Sequence, residues 1–480
     1  MKRLILMVML SLFPRLLAAQ ELDISSLVGQ TWYGVYMSGQ KSGYAVNNVA
    51  KEEDGSVTVS EDAQFRITME GVKQDMRIFS ERTYDASGAL SAVKTSVETL
   101  GAESQFDAVV RGDALFMRSV VGGEALEVEL PRPKESLRDA FKQVELIQNG
   151  GAVGNELHYT IFEPMYRQEI AGVSKIIAIE ERVFDGVPTK VYKIKNSLVD
   201  MGIDSISYVT QDGTTLEDEV SRLIVTRLEP EEIAKDVNYS NDVIVSNAAL
   251  IDTAIEKPRD RQFLKLRITG PLMEAHLFND ERQYLAPKDG AFEFSAHLIS
   301  LDDFQPATLP ITDEAVQPWL KPSLFVQSED PRLIEKAREI VGDETDAFAV
   351  SKRLCNWVYN NVRTTFSAQL SNALEVLDHM EGDCTEHSVL FIGLARAAGI
   401  PAREVAGLIY VESARPGFYF HQWATVWVGK WIDVDPTFNQ PLADVTHIKL
   451  AEGDLFHQAK LIPIIGQIQV QVVEGAPSSE

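Results

Sequence analysis

The chain has 480 residues, 45% of them hydrophobic, and a formal net charge of −26 at pH 7. Because phosphate binding relies on clustered Lys and Arg, this charge argues against a nucleic-acid surface and against an anionic membrane surface. Two cysteines are too few for a disulfide scaffold, and the length predicts roughly two to four domains with buried cores.

The N-terminal segment 1–19 is predicted to be a signal peptide. Two basic residues precede the apolar run Leu4–Phe13, and the small residues Ala18 and Ala19 follow it. This run is much shorter than the ~20 residues that a spanning helix needs, so we expect cleavage rather than anchoring. No later segment is long and apolar enough to span a membrane. The sequence therefore predicts a secreted or periplasmic protein with no integral membrane segment after cleavage.

Residues 22–245 predict a large β-rich antiparallel domain. Aromatic and β-branched residues alternate between turn signals in "WYGVYMSGQKSGYAV" and "SVTVSEDAQFRITMEG", and "PKESLRDAFKQVELI" predicts a short helix. The similar segments "YDASGALSAV" and "VTQDGTTLEDEV" each indicate a strand, a Gly-centred turn and a return strand, which suggests two related halves. Acid–base groups and metal ligands do not cluster here. We therefore expect a scaffold or recognition role, and this region is the candidate surface for a protein partner.

Residues 250–315 predict a small β-rich linking domain that contains "FLKLRITG" and "FEFSAHLI". From about 316 the hydrophobic period becomes helical, and the range 316–475 is predicted to be the catalytic domain. "EDPRLIEKAREIVG" predicts a helix capped by Ser328, with Pro331 in its first turn and Gly342 as its stop.

Cys355 lies in "AVSKRLCNWVYNNV", which predicts a second helix in this region. It falls beside the apolar stripe of that helix, where a small buried hydrophobe is the expected role. The alternative is a disulfide between Cys355 and Cys384.

Cys384 lies in "EGDCTEH", at the predicted start of a helix that ends at "GIP". The free N–H groups and positive dipole end of a helix N-terminus favour a thiolate. Asp383 and Glu386 oppose this effect if their charges lie close. A basic partner is therefore required, and a histidine is the candidate. The alternative is a buried structural thiol.

The segment "HQWATVWVGKWIDVDPTF" predicts a hairpin that runs from His421 to Asp435. Cys384, His421 and Asp435 together supply the groups for thiol acyl transfer. The thiolate attacks a carbonyl, the imidazole moves the proton, and the carboxylate fixes the imidazole tautomer. Asp433 is an alternative carboxylate, and His421 alone would be an ordinary strand residue.

The turn of this hairpin decides whether His421 and Asp435 can meet. A two-residue turn at Gly429-Lys430 would place the two side chains on opposite faces. A three-residue loop that pairs Trp427 with Trp431, or a β-bulge, would place them on one face. We therefore predict an odd-length turn or a bulge within 422–434, and a hydrogen bond between His421 and Asp435.

The segments "GDCTEHSVLFIGLARAAGIPAREVAG" and "HQWATVWVGKWIDVDPT" resemble the core of the transglutaminase-like superfamily over roughly 320–450. The resemblance implies an α+β fold, with a papain-like core in which a helix-borne Cys packs on an antiparallel sheet behind a large β-rich N-terminal region. It also implies that Cys384 is the nucleophile, His421 the base and Asp435 its orienting partner. A papain-type assignment is weaker, because there the His follows the Cys by ~130–150 residues.

The remaining aromatic and imidazole residues are less constrained by the sequence. Two positions are open for Trp423 and Trp427, the wall of the cleft and the hydrophobic core. Two roles are open for His387, an auxiliary group of the site and a residue that packs locally. No motif surrounds the other three C-terminal histidines, which are His379, His447 and His457. The backbone N–H of Cys384 is the predicted oxyanion donor.

The leading functional prediction is a secreted thiol enzyme that acts on peptide or isopeptide amides of a protein or peptide substrate through an acyl-enzyme. Hydrolysis is favoured over transamidation, because nothing in the sequence specifies an amine site. The alternative is a non-catalytic binding or assembly module that retains the fold. We expect neither a cofactor nor a metal, since His-Glu-x-x-His and paired-Cys spacings are absent from the sequence.

Overall fold

The computed structural model describes residues 22–69, 72–99, 102–221, 223–237, 247–301, 304–365, 371–413 and 415–475. The predicted signal peptide, 1–19, lies outside the described residues. Within the described ranges, no helix has the length and apolar character needed to cross a bilayer.

The N-terminal region forms one antiparallel sheet of fourteen strands. They are β1 (Gly29–Met37), β2 (Gln40–Lys51), β3 (Val57–Met69), β4 (Val72–Tyr84), β5 (Leu90–Thr99), β6 (Ala102–Arg111), β7 (Ala114–Val121), β8 (Glu124–Pro131), β9 (Glu156–Glu163), β10 (Gln168–Phe184), β11 (Val187–Leu198), β12 (Ile203–Val209), β13 (Thr215–Val220) and β14 (Ile224–Leu228). Two meanders, β1–β8 and β9–β14, join where β1 pairs with β14. Both predicted Gly turns are present, between β4 and β5 and between β12 and β13, while the duplicated origin stays a prediction.

Short helices accompany this sheet. The predicted helix is found as α1 (Leu137–Ala140) and α2 (Lys142–Gln148), and α3 (Glu231–Ala234) follows the last strand. Helix α2 packs against β9 and β10 and buries Val144, Leu146 and Ile147. Helices α1 and α2 therefore cover part of one face of the sheet, whereas α3 contacts β1 and β2.

A four-stranded sheet links the two larger regions. It contains β16 (Phe263–Thr269), β17 (Gln283–Lys288), β18 (Ala291–His297) and β25 (Gln469–Gly475), while β15 (Ala249–Leu250) pairs instead with a strand of the C-terminal sheet. Strand β25 thus joins the small sheet from within the range predicted for the catalytic domain. The predicted domain boundaries stay predictions.

The described residues of the C-terminal region form five helices and a third antiparallel sheet. The helices are α4 (Pro331–Val341), α5 (Ala347–Asn361), α6 (Ala373–His379), α7 (Cys384–Ala397) and α8 (Leu455–Ala459). The sheet contains β21 (Ala402–Val411), β22 (Gly417–Trp427), β23 (Trp431–Val434) and β24 (His447–Glu452), and β19 (Arg363–Thr364) pairs separately with β20 (Glu381–Gly382). Five 3₁₀ turns complete the described elements: Ser25–Leu27, Pro258–Asp260, Glu274–His276, Gln317–Leu320 and Ile462–Ile464.

Helix α7 lies at the centre of the C-terminal region. It contacts α4, α5 and α6 on one side and β21 and β22 on the other. Every residue from Glu386 to Arg396 is buried, which explains why the segment is hydrophobic on nearly all faces. The predicted fold class is confirmed: a helix-borne Cys on an antiparallel sheet, preceded by a β-rich region.

One predicted helix cap was wrong. Helix α4 begins at Pro331, so its N-cap is Asp330, whose carboxylate accepts from the N–H of Arg332 at 2.8 Å. Ser328 instead donates to the carbonyl oxygen of Leu320 at 3.1 Å. A proline at the first helical position fixes the N-cap one residue before it.

Candidate active site

Cys384 is the first residue of α7. Asp383 is the N-cap, and its carboxylate accepts from the N–H of Thr385 at 2.8 Å. Glu386 reaches back and accepts from the N–H of Asp383 at 2.8 Å, which completes a capping box. Cys384 is half-buried and Cys355 is fully buried, and both are free thiols, so the alternative of a disulfide between them is not found.

Gly382 allows the chain to enter α7 at this angle. Its φ is +155°, and a Cβ at this position would lie 2.2 Å from the Cβ of Glu386. No side chain fits in that space without moving Glu386 and breaking the capping box. The glycine before Asp383 therefore sets the direction in which the thiol is presented.

The first turn of α7 lies against the strand that carries His421. The Ser388 hydroxyl is 2.7 Å from the carbonyl oxygen of Cys384 and 3.1 Å from that of Gln422. One edge of β22 pairs with β21. The opposite edge pairs with β15 at residues 417–418 and with β23 at residues 424–427. Between these two pairings, the backbone of Gln422 lies close enough to the Cys384 thiol to lower its pKa. The thiol thus lies beside the residue that follows His421.

The electrostatic surroundings of the Cys384 thiol differ from the expectation. Burial and the nearby Asp383 carboxylate raise its pKa well above the ordinary value, while the backbone of Gln422 acts in the opposite direction. The expectation that the helix N-terminus favours a thiolate at Cys384 was therefore wrong, because burial and the Asp383 carboxylate raise the pKa of the thiol. The pKa of Glu386 is itself raised by burial and by Asp383, which favours a neutral Glu386.

The hairpin has the predicted odd-length turn. Trp427 pairs with Trp431 and Ala424 with Val434, so the loop has three residues, with Gly429 at φ +110°. His421 and Asp435 share a face, and His421 Nε2 lies 2.8 Å from Asp435 Oδ2. Because Nε2 contacts Asp435, Nδ1 is the ring nitrogen of His421 that can accept the proton of the Cys384 thiol.

Asp435 is fully buried and held at every oxygen. Its Oδ1 accepts from the N–H groups of Thr437 at 2.8 Å and Phe438 at 3.3 Å, and its backbone carbonyl oxygen lies 3.6 Å from the thiol of Cys355. Burial alone would raise the pKa of Asp435, but His421 and a second histidine hold it well below its usual range. The group is therefore a carboxylate throughout the physiological pH range.

The alternative carboxylate, Asp433, has different partners. Its oxygens contact Arg282 at 3.2 Å and Lys449 at 2.9 Å. Burial opposes ionisation, but these two cations lower the pKa of Asp433 to about 2. Asp433 thus belongs to a buried ion network behind the hairpin, and Asp435 is the carboxylate that contacts His421.

His447 is the second histidine on Asp435, and the sequence did not predict it. Its Nε2 lies 2.9 Å from Asp435 Oδ2, and its Nδ1 lies 3.3 Å from Asp444 Oδ1. Burial would lower the pKa of His447, but Asp444 and Asp435 together raise it. The pairing of β24 with β21 brings it here from beyond the quoted motifs. The only local signal is an aspartate three residues earlier, which is too common to identify a site.

His421, Asp435 and His447 are also the one group among the described residues with metal-ligand geometry. One atom from each lies within 4.8 Å of the others, and two imidazoles with a carboxylate form a common zinc donor set. The two N···O distances, 2.8 and 2.9 Å, are those of N–H···O hydrogen bonds. A metal would have to displace both protons, so this arrangement fits proton handling better.

The structure also shows where the other aromatic and histidine residues considered in the sequence lie relative to this cluster. Trp423 is fully buried and stacks on His421 with ring centroids 6.0 Å apart, whereas Trp427 packs on Trp431 in the core. His387 is buried, its Nδ1 lies 2.7 Å from the carbonyl oxygen of Asp383, and burial lowers its pKa. It is a neutral packing group. His379 and His457 lie on α6 and α8, away from the cluster.

Two arginines from outside the transglutaminase-like segments support the site. Arg282 is 3% exposed and donates to the carbonyl oxygen of His447 at 2.7 Å. Arg259 donates to Asp444 at 2.8 Å and lies 5.0 Å from the ring of Phe438, which lies 5.4 Å from the His421 ring. The linking region thus forms the back wall of the site.

Residues 334–436 match the family model of the transglutaminase-like superfamily, and this range includes Cys384, His421 and Asp435. The chain therefore contains a transglutaminase-like domain, as its motifs predicted. His447 lies outside the matched range.

A curated relative is an uncharacterized protein from Haemophilus influenzae, 28% identical over 109 residues. The match covers 22% of this chain and 29% of the relative, so it spans less than a third of the relative's length. A solved "Putative Cysteine Protease" from Cytophaga hutchinsonii is 20% identical, with a TM-score of 0.32 and coverage of 45% of this chain and 89% of that chain. A "Beta-barrel-like Protein" of unknown function from Brucella abortus is 13% identical, with a TM-score of 0.34 and coverage of 42% and 94%. At these TM-scores the two structural likenesses carry no argument about activity.

Proposed function

We propose that this protein is an exported thiol-dependent acyl-transfer enzyme that cleaves peptide or isopeptide amides through an acyl-enzyme on Cys384. The observation that carries the proposal is the joint placement of its three groups. Cys384 starts a helix whose first turn lies against the strand of His421, and His421 Nε2 bonds Asp435 at 2.8 Å. Export rests on the N-terminal sequence, with cleavage proposed near Ala19.

The first half of the reaction forms the acyl-enzyme. His421 Nδ1 takes the thiol proton as sulfur attacks the amide carbonyl, so that a C–S bond forms and the carbonyl oxygen becomes an oxyanion. The N–H of Cys384, at the open end of α7, is the proposed donor to that oxyanion. The C–N bond then breaks, and the amine leaves with the proton from His421. Asp435 stabilises the transient imidazolium.

The second half returns the free enzyme. Water attacks the thioester carbonyl as His421 removes a proton, the C–S bond breaks, and the sulfur regains its proton. The raised pKa of Cys384 favours a neutral thiol at rest, so the proton is removed during attack rather than before it. His421 is therefore a true general base in this scheme.

Hydrolysis is proposed over transamidation because no described feature near Cys384 specifies an amine acceptor. In transamidation an amine would intercept the same thioester. The alternative function, a binding or assembly module without turnover, has the large N-terminal sheet in its favour. It does not explain why Asp435 is ionised and positioned on His421.

Peptide cleavage by the mature protein tests the proposal. Wild type is compared with Cys384→Ala and Cys355→Ala on a peptide mixture, with and without a primary amine, and products are identified by mass spectrometry. We expect wild type and Cys355→Ala to release peptides, and Cys384→Ala to be folded and inactive. If the products carry the added amine instead of a free carboxylate, the reaction is transamidation and the proposal of hydrolysis is wrong. Cleavage by Cys384→Ala at the wild-type rate would refute the proposed nucleophile.

A further inference from the structure

Strands β10 and β11 extend beyond the rest of the N-terminal sheet as a two-stranded arm. Strand β9 pairs with β10 only as far as Lys175, and β12 pairs with β11 only as far as Tyr192. The arm continues for five further residue pairs, which end at Phe184↔Val187 and have no neighbouring strand among the described residues. Two strands alone gain little stability in water, and proteins normally cover or protect such open edges. The arm therefore requires an explanation beyond the folding of the sheet.

The arm presents apolar side chains to solvent. Ile179 is 37% exposed and Val183 is 69% exposed, and both lie on one face of β10 with Glu181 between them. Val187, the first residue of β11, is 60% exposed. These β-branched side chains favour packing against a neighbouring strand, so the arm carries both open backbone edges and the side chains suited to strand pairing.

The two edges of the arm differ in their protection against a further strand. The edge of β11 carries Pro188, which lacks an N–H group, and the exposed cation Lys190. On the edge of β10, the N–H of Ile176 is bonded to the carbonyl oxygen of Asn155, and a bulge follows. Beyond the bulge, residues 178–184 are open and include neither proline nor lysine. This stretch of β10 is therefore the edge that can accept another strand.

The charges of this edge are complementary to those of a second copy. Glu181 is the middle residue of 178–184, and an antiparallel pair centred on it places Glu180 of each copy opposite Arg182 of the other. Glu180 forms no ion pair within 4 Å with the described residues. Arg182 contacts Glu217 at 3.4 Å, but its side chain is 35% exposed and its other N–H groups can serve a second carboxylate. A register centred one residue to either side would place Glu180 or Arg182 opposite its own copy.

The apolar side chains match in the same register. Ile179 of each copy lies opposite Val183 of the other, so the pairing removes from water side chains that are exposed in one copy alone. The two Glu181 carboxylates meet at the centre, and each has Lys190 directly opposite on its own β11. The register that joins opposite charges on one face therefore also joins apolar groups on the other.

We propose that two copies of this chain associate through residues 178–184 of β10, in an antiparallel pair centred on Glu181. The two arms then form one four-stranded ribbon that joins the N-terminal sheets of both copies. The paired stretch is about 23 Å long, at ~3.3 Å per residue, and buries less area than the ~1,200–2,000 Å² of stable interfaces. We therefore expect a reversible dimer with a dissociation constant on the order of 10 μM. This inference does not depend on acyl transfer at Cys384.

The oligomeric state of the mature protein tests the proposal. Sedimentation velocity is measured from low micromolar to several hundred micromolar protein for wild type, Val183→Lys and Val199→Lys. Val183→Lys places a cation against Ile179 of the second copy and should weaken association at least tenfold. Val199→Lys is the matched control, because its position at the other end of β11 is 59% exposed, and it should dimerise as wild type does.

Three results would overturn the proposal. Wild type could stay monomeric over the whole concentration range, or Val183→Lys could dimerise with wild-type affinity. The third result is a monomeric wild type that floats with phosphatidylethanolamine–phosphatidylglycerol vesicles while Val183→Lys does not, which would assign the arm to a lipid surface instead.

Cysteine cross-linking tests the register. Glu181 lies opposite its own copy in the proposed pair, with Cα atoms about 4.5–5.5 Å apart, which is within the ~4.4–6.8 Å that a disulfide spans. Glu181→Cys in a Cys384→Ala background should therefore form a disulfide-linked dimer under mild oxidation. Lys190→Cys in the same background is the matched control, because its two copies would lie about 14 Å apart across the ribbon. Cross-linking of Lys190→Cys as fast as that of Glu181→Cys, or no cross-linking of Glu181→Cys, would contradict the proposed pairing.

Discussion

The two thiols, Cys384 and Cys355, lie in different surroundings at the residue scale. Cys355 is fully buried and its thiol contacts the backbone of Asp435, whereas Cys384 is half-buried at the start of α7. Burial raises the pKa of both thiols, with the carboxylate of Asp383 adding to the effect at Cys384.

The rates of alkylation by iodoacetamide should therefore differ between the two cysteines, because the reagent reaches a half-buried thiol more easily than a fully buried one. We expect Cys384 to be modified much faster than Cys355, and its rate to rise steadily from pH 7 to pH 9.5, because the thiolate fraction is small at neutral pH. Peptide mapping after timed quenching measures both rates. An equal or faster rate at Cys355 would contradict this account, and a Cys384 rate independent of pH would show a preformed thiolate.

His447 should act through Asp435 rather than on the substrate. In His447→Gln, Asp435 loses a charged donor and the site loses a positive charge, so we expect kcat/KM to fall about tenfold, equal to about 1.4 kcal/mol. Protonation of the base becomes easier without that charge, which moves the acidic limb of the pH–rate profile to higher pH. His457→Gln, at an exposed position of α8, is the control. A loss of activity with an unchanged pH profile would contradict this role and show that His447 contributes only packing.

These residues also show what the sequence could predict. Cys384, His421 and Asp435 lie in local motifs whose helix start and hairpin turn follow from short-range rules, so their positions could be inferred. His447 and Arg282 reach the site through strand pairing and contact between separate regions. Neither the sequence spacing nor composition encodes those contacts. The raised thiol pKa was missed for the same reason, because burial depends on the whole fold.

At the scale of elements, the entry into α7 depends on Gly382. Gly382→Ala combines an unfavourable φ with a Cβ 2.2 Å from Glu386, so we expect the free energy of unfolding to fall by at least about 2 kcal/mol and activity to drop with it. Gly290→Ala is the matched control. Its φ is +71° and nothing lies within 4 Å of the added Cβ, so it should lose about 1 kcal/mol and keep its activity. Urea unfolding and peptide cleavage measure the two effects. Similar losses in both variants would contradict the proposed steric cause.

The β22–β23 hairpin illustrates an element whose geometry follows from side-chain alternation. A requirement that His421 and Asp435 share a face was enough to predict an odd-length turn, and the three-residue loop confirms it. The cap of α4 was missed because two acceptors, Ser328 and Asp330, precede the helix, and Pro331 selects the second.

At the scale of the whole molecule, the linking region and the strands of the candidate site share a buried ion network. Arg282 of the linking region contacts Asp433, which also binds Lys449 of β24. The site is therefore supported from outside the range that matches the superfamily.

Arg282→Met should destabilise the protein through this network. Asp433 loses one of two buried cations, and we expect a loss of about 3 kcal/mol in the free energy of unfolding at pH 7. Because the pKa of Asp433 is lowered from 3.8 to about 2, its ion pairs stabilise the fold above pH 3.8 and lose this effect as the pH falls toward 2. The difference between wild type and variant should shrink over that range. Arg267→Met, which removes a contact to the carbonyl of Asp289, is the control, and a pH-independent difference would contradict this assignment.

The central claim is that an acyl group passes through Cys384, and intact-mass detection of that intermediate tests it most directly. A peptide p-nitrophenyl ester is mixed with the mature protein and quenched in acid within seconds. The account predicts a covalent adduct of the acyl mass on Cys384, an initial burst of nitrophenol equal to the enzyme concentration, and accumulation of the adduct in Asp435→Asn, where the base is poorly oriented for deacylation. Nitrophenol release without any adduct, or an adduct of the same size in Cys384→Ala, would contradict the account.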